Sequence, residues 1–189
     1  MPFLLSLAAT LALAANAAAA ELPATYRPIV KQVVVRADAT AAWSLWTTNE
    51  GLQSFFPAAS GIATNITLEP GGPYEVFLIP NAPEGSRGCD GCMILGYQEG
   101  RMLSFTWTNR PDMAVRPHRT NVVLTFEPIS SRETRVTLVQ VGWGVGPDWD
   151  VAHRYFDRAW ARVLDAYAER IAAACATIDK SDVCRLTGR

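Results

Sequence analysis

VTLVQVGWGVGPDWDVAHRYFDRAWARVL, from Val136 to Leu164, changes its period partway along. Its first part belongs to a β-branched-rich run, Arg135–Val141, that reads as a strand. Gly142, Gly144 and Gly146 then give the backbone freedom for a turn. Beyond Pro147 the repeat is helical. At 100° per residue, Trp149, Phe156, Trp160, Val163, Tyr167 and Ile171 fall on one stripe. Asp150, Arg154, Arg158, Arg162, Asp165 and Glu169 fall on the opposite face, and His153 sits at the stripe's edge. The spacing predicts one long amphipathic helix from Asp148 to about Cys175. Pro147 suits its start, and Asp148 and Asp150 suit the positive end of its dipole.

Working back from that helix, strand-like runs are separated by turn signals: Met93–Gln98, Met102–Thr108 and Asn121–Glu127. In LSFTW, Leu103, Phe105 and Trp107 alternate with Ser104, Thr106 and Thr108, which predicts one buried face and one wet face. Earlier lie Ile62–Leu68 and Tyr74–Ile79, joined through Pro70-Gly71-Gly72-Pro73. The chain's first strand is expected at Ile29–Arg36. Between it and these runs, Asp38 or Thr40 can cap one short helix and Thr48 or Asn49 a second, which Pro57 closes. A sheet followed by a long amphipathic helix must lay the helix's apolar stripe on the sheet's inner face. A curved sheet touches a straight helix over only part of its length, so a cavity is expected between them. Large aromatics such as Trp43 and Trp46 can wall such a space.

These residues together resemble a known superfamily. VVVRADATAAWSLWTTNEGLQSFF, EPGGPYEV, LSFTW and the opening stretch, in this order, are similar to the START/Bet v 1-like (SRPBCC) proteins. The likeness is to the branch of the heat-shock-protein-90 ATPase activator homologues. It runs from about Ile29 to Ala172. It implies an α+β helix-grip fold: a curved antiparallel sheet wrapped on a long C-terminal helix, with two short helices after the first strand. The superfamily spans carriers, cyclases, hydrolases and co-chaperone domains, so the likeness constrains fold far more than function.

Composition narrows the partners. A formal net charge of -1 gives no electrostatic case for nucleic acid or an anionic membrane. Residues 1–20 carry no charged side chain and end in Ala18-Ala19-Ala20, which reads as a signal peptide cleaved before Glu21. The alternative, a membrane anchor, needs about 20 continuous apolar residues. On the cleavage reading, residues 21–189 form a single exported domain, secreted or periplasmic, without stable membrane insertion. Lys occurs only at positions 31 and 180, an arginine bias associated with bacteria of high GC content.

Four cysteines allow a redox pair, a metal site or structural disulfides. Cys89 and Cys92 lie in a Gly-rich loop before a strand, whereas a thioredoxin-type pair opens a helix. Cys175 and Cys184 lie far along the chain, so a four-ligand zinc site is not expected. In an oxidising compartment the expected pairs are Cys89–Cys92 and Cys175–Cys184.

Nucleophilic catalysis finds little support. There are two histidines, His118 and His153, and no Gly-Xaa-Ser-Xaa-Gly elbow. The leading expectation is therefore non-catalytic binding of a small apolar or amphipathic molecule, with no cofactor, no metal and no identified protein partner. From the short helices and the sheet, the candidate ligand contacts are Trp46, Phe55, Tyr74, Phe105 and Trp107. From the Gly-rich turn and the long helix, they are Trp143, Trp149, His153, Phe156 and Trp160. The alternatives are a cyclase- or hydrolase-type enzyme using His153 as acid or base, and a protein-interaction domain of co-chaperone type.

Overall fold

The computed structural model describes residues 26–57 and 61–176. Strand β1 (Ile29–Val35) leads into two helices, α1 (Ala39–Thr47) and α2 (Asn49–Gln53). Each helix is capped by the side chain that the sequence offers. Asp38 accepts from the Ala41 N–H at 2.9 Å, and Thr48 accepts from the Gly51 N–H at 3.0 Å. These bonds satisfy amide groups that a helix start leaves open. Strands β2 (Ala63–Ile66), β3 (Tyr74–Phe77), β4 (Ile94–Gln98), β5 (Met102–Thr108), β6 (Arg119–Ser130) and β7 (Glu133–Val141) follow, then α3 (Pro147–Ala176).

The five-stranded antiparallel sheet has the order β1-β7-β6-β5-β4, while β2 and β3 form a ladder of their own. The ladder is tied to the larger sheet by single bridges, Pro73 to Met93 and Phe77 to Gly88. Prolines and glycines on both sides keep these contacts from extending into a regular ladder. Gly88 is fixed by this approach, because a Cβ there would stand 2.2 Å from the Val76 carbonyl oxygen.

Two expectations need correction. First, Thr106 and Thr108 are buried, so the outer face of β5 is dry at that end. The loop carrying Cys89 and Cys92 folds over it. Thr106 accepts from the Met93 N–H at 3.0 Å, and Thr108 donates to the Gly88 carbonyl at 3.0 Å. Second, β6 extends to both sides of Asn121–Glu127, and β2 and β3 stop short of the runs that suggested them.

Helix α3 buries the expected stripe from Phe156 onward: Phe156, Trp160, Val163, Tyr167 and Ile171 are buried, Trp149 at its start is half-buried, and Arg154, Arg158 and Arg162 are exposed. Its N-terminal end is tied to the chain before β1, where Arg27 pairs with Asp150 and donates to the Gly144 carbonyl. Lys31 pairs with Asp157 at 2.8 Å about two turns further on.

Candidate functional site

The ten aromatic and histidine candidates separate into three groups. Trp46, Phe55, Tyr74 and Phe105 lie under the two short helices and pack on one another. Trp46 and Phe55 meet edge to face with centroids 5.0 Å apart, each also touching Tyr167. Tyr74 stacks on Phe105 at 4.1 Å. The phenols of Tyr74 and Tyr167 donate to the Trp46 and Ala42 carbonyls at 2.8 and 2.9 Å. Burial pushes both phenols far above their ordinary range, so they remain neutral donors. This end of the molecule is filled core.

Trp143, Trp149 and His153 gather at the start of α3. Trp143 meets Trp149 and His153 edge to face at 6.2 and 5.1 Å. His153 Nε2 lies 3.1 Å from the Arg27 carbonyl oxygen. Gly144 allows this cluster to close, since a Cβ there would meet the Trp149 ring at 2.3 Å. His118, the other histidine, is exposed with its ring 5.5 Å from that of Trp149.

Between these groups lies a groove. Trp107, Phe156 and Trp160 line it together with Phe56, Leu78 and Tyr155, and it has a volume of about 130 Å³. A second hollow of about 60 Å³ shares Leu78, Trp107, Tyr155 and Phe156 and continues toward Cys89 and Arg116. The expected cavity therefore exists, but only three of the ten candidates line this main groove. His153 is absent from its wall.

The polar atoms behind the groove are turned away from it. Trp160 Nε1 donates to Gln140 Oε1 at 2.6 Å, Gln140 Nε2 donates to Thr120 Oγ1 at 2.7 Å, and Thr120 donates to the Trp107 carbonyl at 3.2 Å. Gln140 and Thr120 are essentially inaccessible. The chain satisfies Gln140, Thr120 and the Trp160 indole internally, so Trp160 presents ring surface to the groove. Gln140 had a readable signal: it continues the inward phase of Val136 and Leu138. Tyr155 and Arg162, also absent from the candidates, line the groove although neither lies on the stripe and the helical phase puts Arg162 on the opposite face.

Cys89 and Cys92 form a disulfide. The loop around it is organised by Asp90, which accepts from the amides of Gly85, Arg87 and Gly88 and from Arg87 Nε. Burial alone would raise the Asp90 carboxyl, but those bonds and the Arg87 charge outweigh it and hold it below its ordinary range. Arg116 donates both to the Gly88 carbonyl of this loop and to the Asn109 carbonyl just after β5, and so clips the two together. The second expected disulfide involves Cys184, which lies outside the described residues, as does the whole of residues 1–20. Among the described residues no group of His, Cys, Asp and Glu could hold a metal ion. No helix among them is long and apolar enough to cross a membrane.

A curved antiparallel sheet holding a long C-terminal helix, with a groove between them, defines an SRPBCC-type domain. Within that class the chain belongs to the family of the Activator of Hsp90 ATPase homolog 1-like proteins, whose model matches residues 36–171. No curated protein matches it in sequence. A protein from Mesorhizobium loti is similar in structure, with TM-score 0.58 and 16% identity over 78% of this chain and 98% of its own. One from Bacillus halodurans gives 0.57 and 21% over 78% and 99%. A heat-shock-protein-90 activator from Plasmodium falciparum gives 0.56 and 11% over 71% and 88%. At such identities the likeness establishes the fold.

Proposed function

We propose that this protein is an exported carrier or receptor for a small apolar or amphipathic molecule held in the groove beside Trp107, Phe156 and Trp160. The observation that carries this reading is the groove's lining: large aromatic faces, with the Trp160 indole N–H bonded behind the wall to Gln140. Such a surface gains little from water and much from an apolar occupant. Export rests on the uncharged apolar character of residues 1–20, and the Cys89–Cys92 disulfide is compatible with it. The position of His153, bonded to a backbone carbonyl outside the groove wall, speaks against the cyclase or hydrolase alternative. The family's name keeps a protein-interaction role as the competing reading, and an exported chain would not meet a cytosolic chaperone.

Tryptophan emission provides the test, since Trp107 and Trp160 form the wall. Single-ring apolar probes should quench or shift it saturably and be recovered chemically unchanged. Absence of saturable binding across a broad apolar library, with the protein folded, would sink the carrier reading and favour protein interaction. Conversion of the probe would favour an enzyme.

A further inference from the structure

Helix α3 places two different surfaces side by side. Phe156, Ala159, Trp160 and Val163 face the groove, and Tyr155 forms its edge. Across Tyr155 stands a row of arginines, Arg154, Arg158 and Arg162, spaced every fourth residue and therefore stacked along one side of the helix. Arg162 is part of the groove lining itself. Arg154 and Arg158 line a cleft of about 450 Å³ that shares Tyr155 as a wall with both hollows of the groove.

Like charges at this spacing repel one another along a helix, and Asp150 relieves Arg154 in part. Two acidic residues, Asp112 and Asp148, line the cleft, but Asp112 is already held by two bonds from Arg110. Asp150 pairs with Arg27 and Asp157 with Lys31. Arg158 and Arg162 enter no ion pair among the described residues. Asp165, the next acid along the helix, is exposed and forms none with them. The groove thus has an apolar floor with one guanidinium, Arg162, in its lining, and a second, Arg158, one helical turn away in the neighbouring cleft.

Size limits the occupant. A dry cavity of about 150 Å³ accepts a benzene molecule. The groove, at about 130 Å³ with its 60 Å³ extension, suits one aromatic ring or a short alkyl chain. It is below the usual range for drug-sized ligands, about 300–1,000 Å³.

From this arrangement we infer that the occupant is a small organic acid: a single-ring or short-chain apolar body in the groove, with its carboxylate at Arg162 and Arg158. Guanidinium groups bind a carboxylate through paired charge-assisted hydrogen bonds, and the apolar floor would exclude water from one side of the contact. The inference rests on the carrier reading and specifies its ligand class.

The test compares 4-phenylbutyrate with its neutral counterpart 4-phenyl-1-butanol by calorimetric titration and tryptophan emission. The acid should bind the natural protein about tenfold more tightly than the alcohol, a difference that shrinks with added salt. The double variant Arg158→Gln, Arg162→Gln should lose the preference and bind the two probes equally. Both side chains are exposed, and an unchanged melting temperature would confirm the fold. Equal binding of acid and alcohol by the natural protein overturns the acid reading and leaves the carrier reading standing. Acid preference that survives the double variant overturns the assignment to these arginines. Failure of both probes to bind overturns this inference, and failure of the whole apolar library removes the carrier reading with it.

Discussion

Gln140 shows how one residue decides the character of a site. A glutamine on the inward face of a central strand would ordinarily be a liability, because each unpaired polar atom costs about 1–3 kcal/mol when buried. Here its carbonyl accepts from the Trp160 indole and its amide donates to Thr120. The result is a fixed tryptophan whose N–H is already committed, so the ring offers the groove only carbon. Gln140→Ala should cost about 3 kcal/mol, from the lost partners and the space left behind. Urea unfolding would measure it. A loss under 1 kcal/mol would mean that the indole finds water or another acceptor, and that the groove wall is wetter than described.

At the scale of elements, the loop Gly85–Cys92 carries a pH dependence. Its Asp90 carboxylate receives three amides and one guanidinium, and Arg116 lies within ion-pair range at 3.6 Å. The folded state holds this carboxyl below its ordinary value, so its contribution is fully present above the unfolded value of about 3.9. It is lost as pH falls through the lower folded value. Stability should therefore decline below pH 4, and Asp90→Asn should flatten that decline while being less stable at neutral pH. Thermal melts between pH 7 and pH 3 would show both effects; parallel curves for the two proteins would remove Asp90 from the account. Little of this loop was legible beforehand, because its order comes from side chains that meet only after folding. Arg116 and Arg87, for example, converge on Asp90 from different segments. The elements of regular period were legible: β5 matches the expected bounds, and α3 differs from them by about one residue at each end. Periodicity shows which residues turn inward, but it cannot separate aromatics that pack on each other from those that border a void. That is why Trp46, Phe55, Tyr74 and Phe105 looked like ligand contacts, and why Phe56, Tyr155 and Arg162 did not.

Across the whole molecule, the core is filled at one end and open in the middle, and the two regions should respond differently to truncation. Beneath α1 and α2, Trp46, Phe55, Tyr167, Tyr74 and Phe105 occupy one another's free surface. Phe105→Ala there leaves an unfilled cavity and should cost about 4 kcal/mol, within the usual range for a buried phenylalanine. Phe156 already borders a void on one side, where its ring has fewer atoms to lose contact with. Phe156→Ala should cost distinctly less and should enlarge the groove instead. Its effect on binding then depends on ligand size. The natural protein should prefer a one-ring alcohol such as 4-phenyl-1-butanol over a two-ring analogue built on naphthalene. In the variant the one-ring probe loses a wall and weakens, whereas the two-ring probe gains room and tightens, so the preference should reverse. Saturable tryptophan quenching with both probes on both proteins provides the comparison, with denaturant midpoints to rank the two truncations. If the natural protein already binds the larger probe as tightly, the walls yield to the ligand, and the volume of the groove does not set its selectivity.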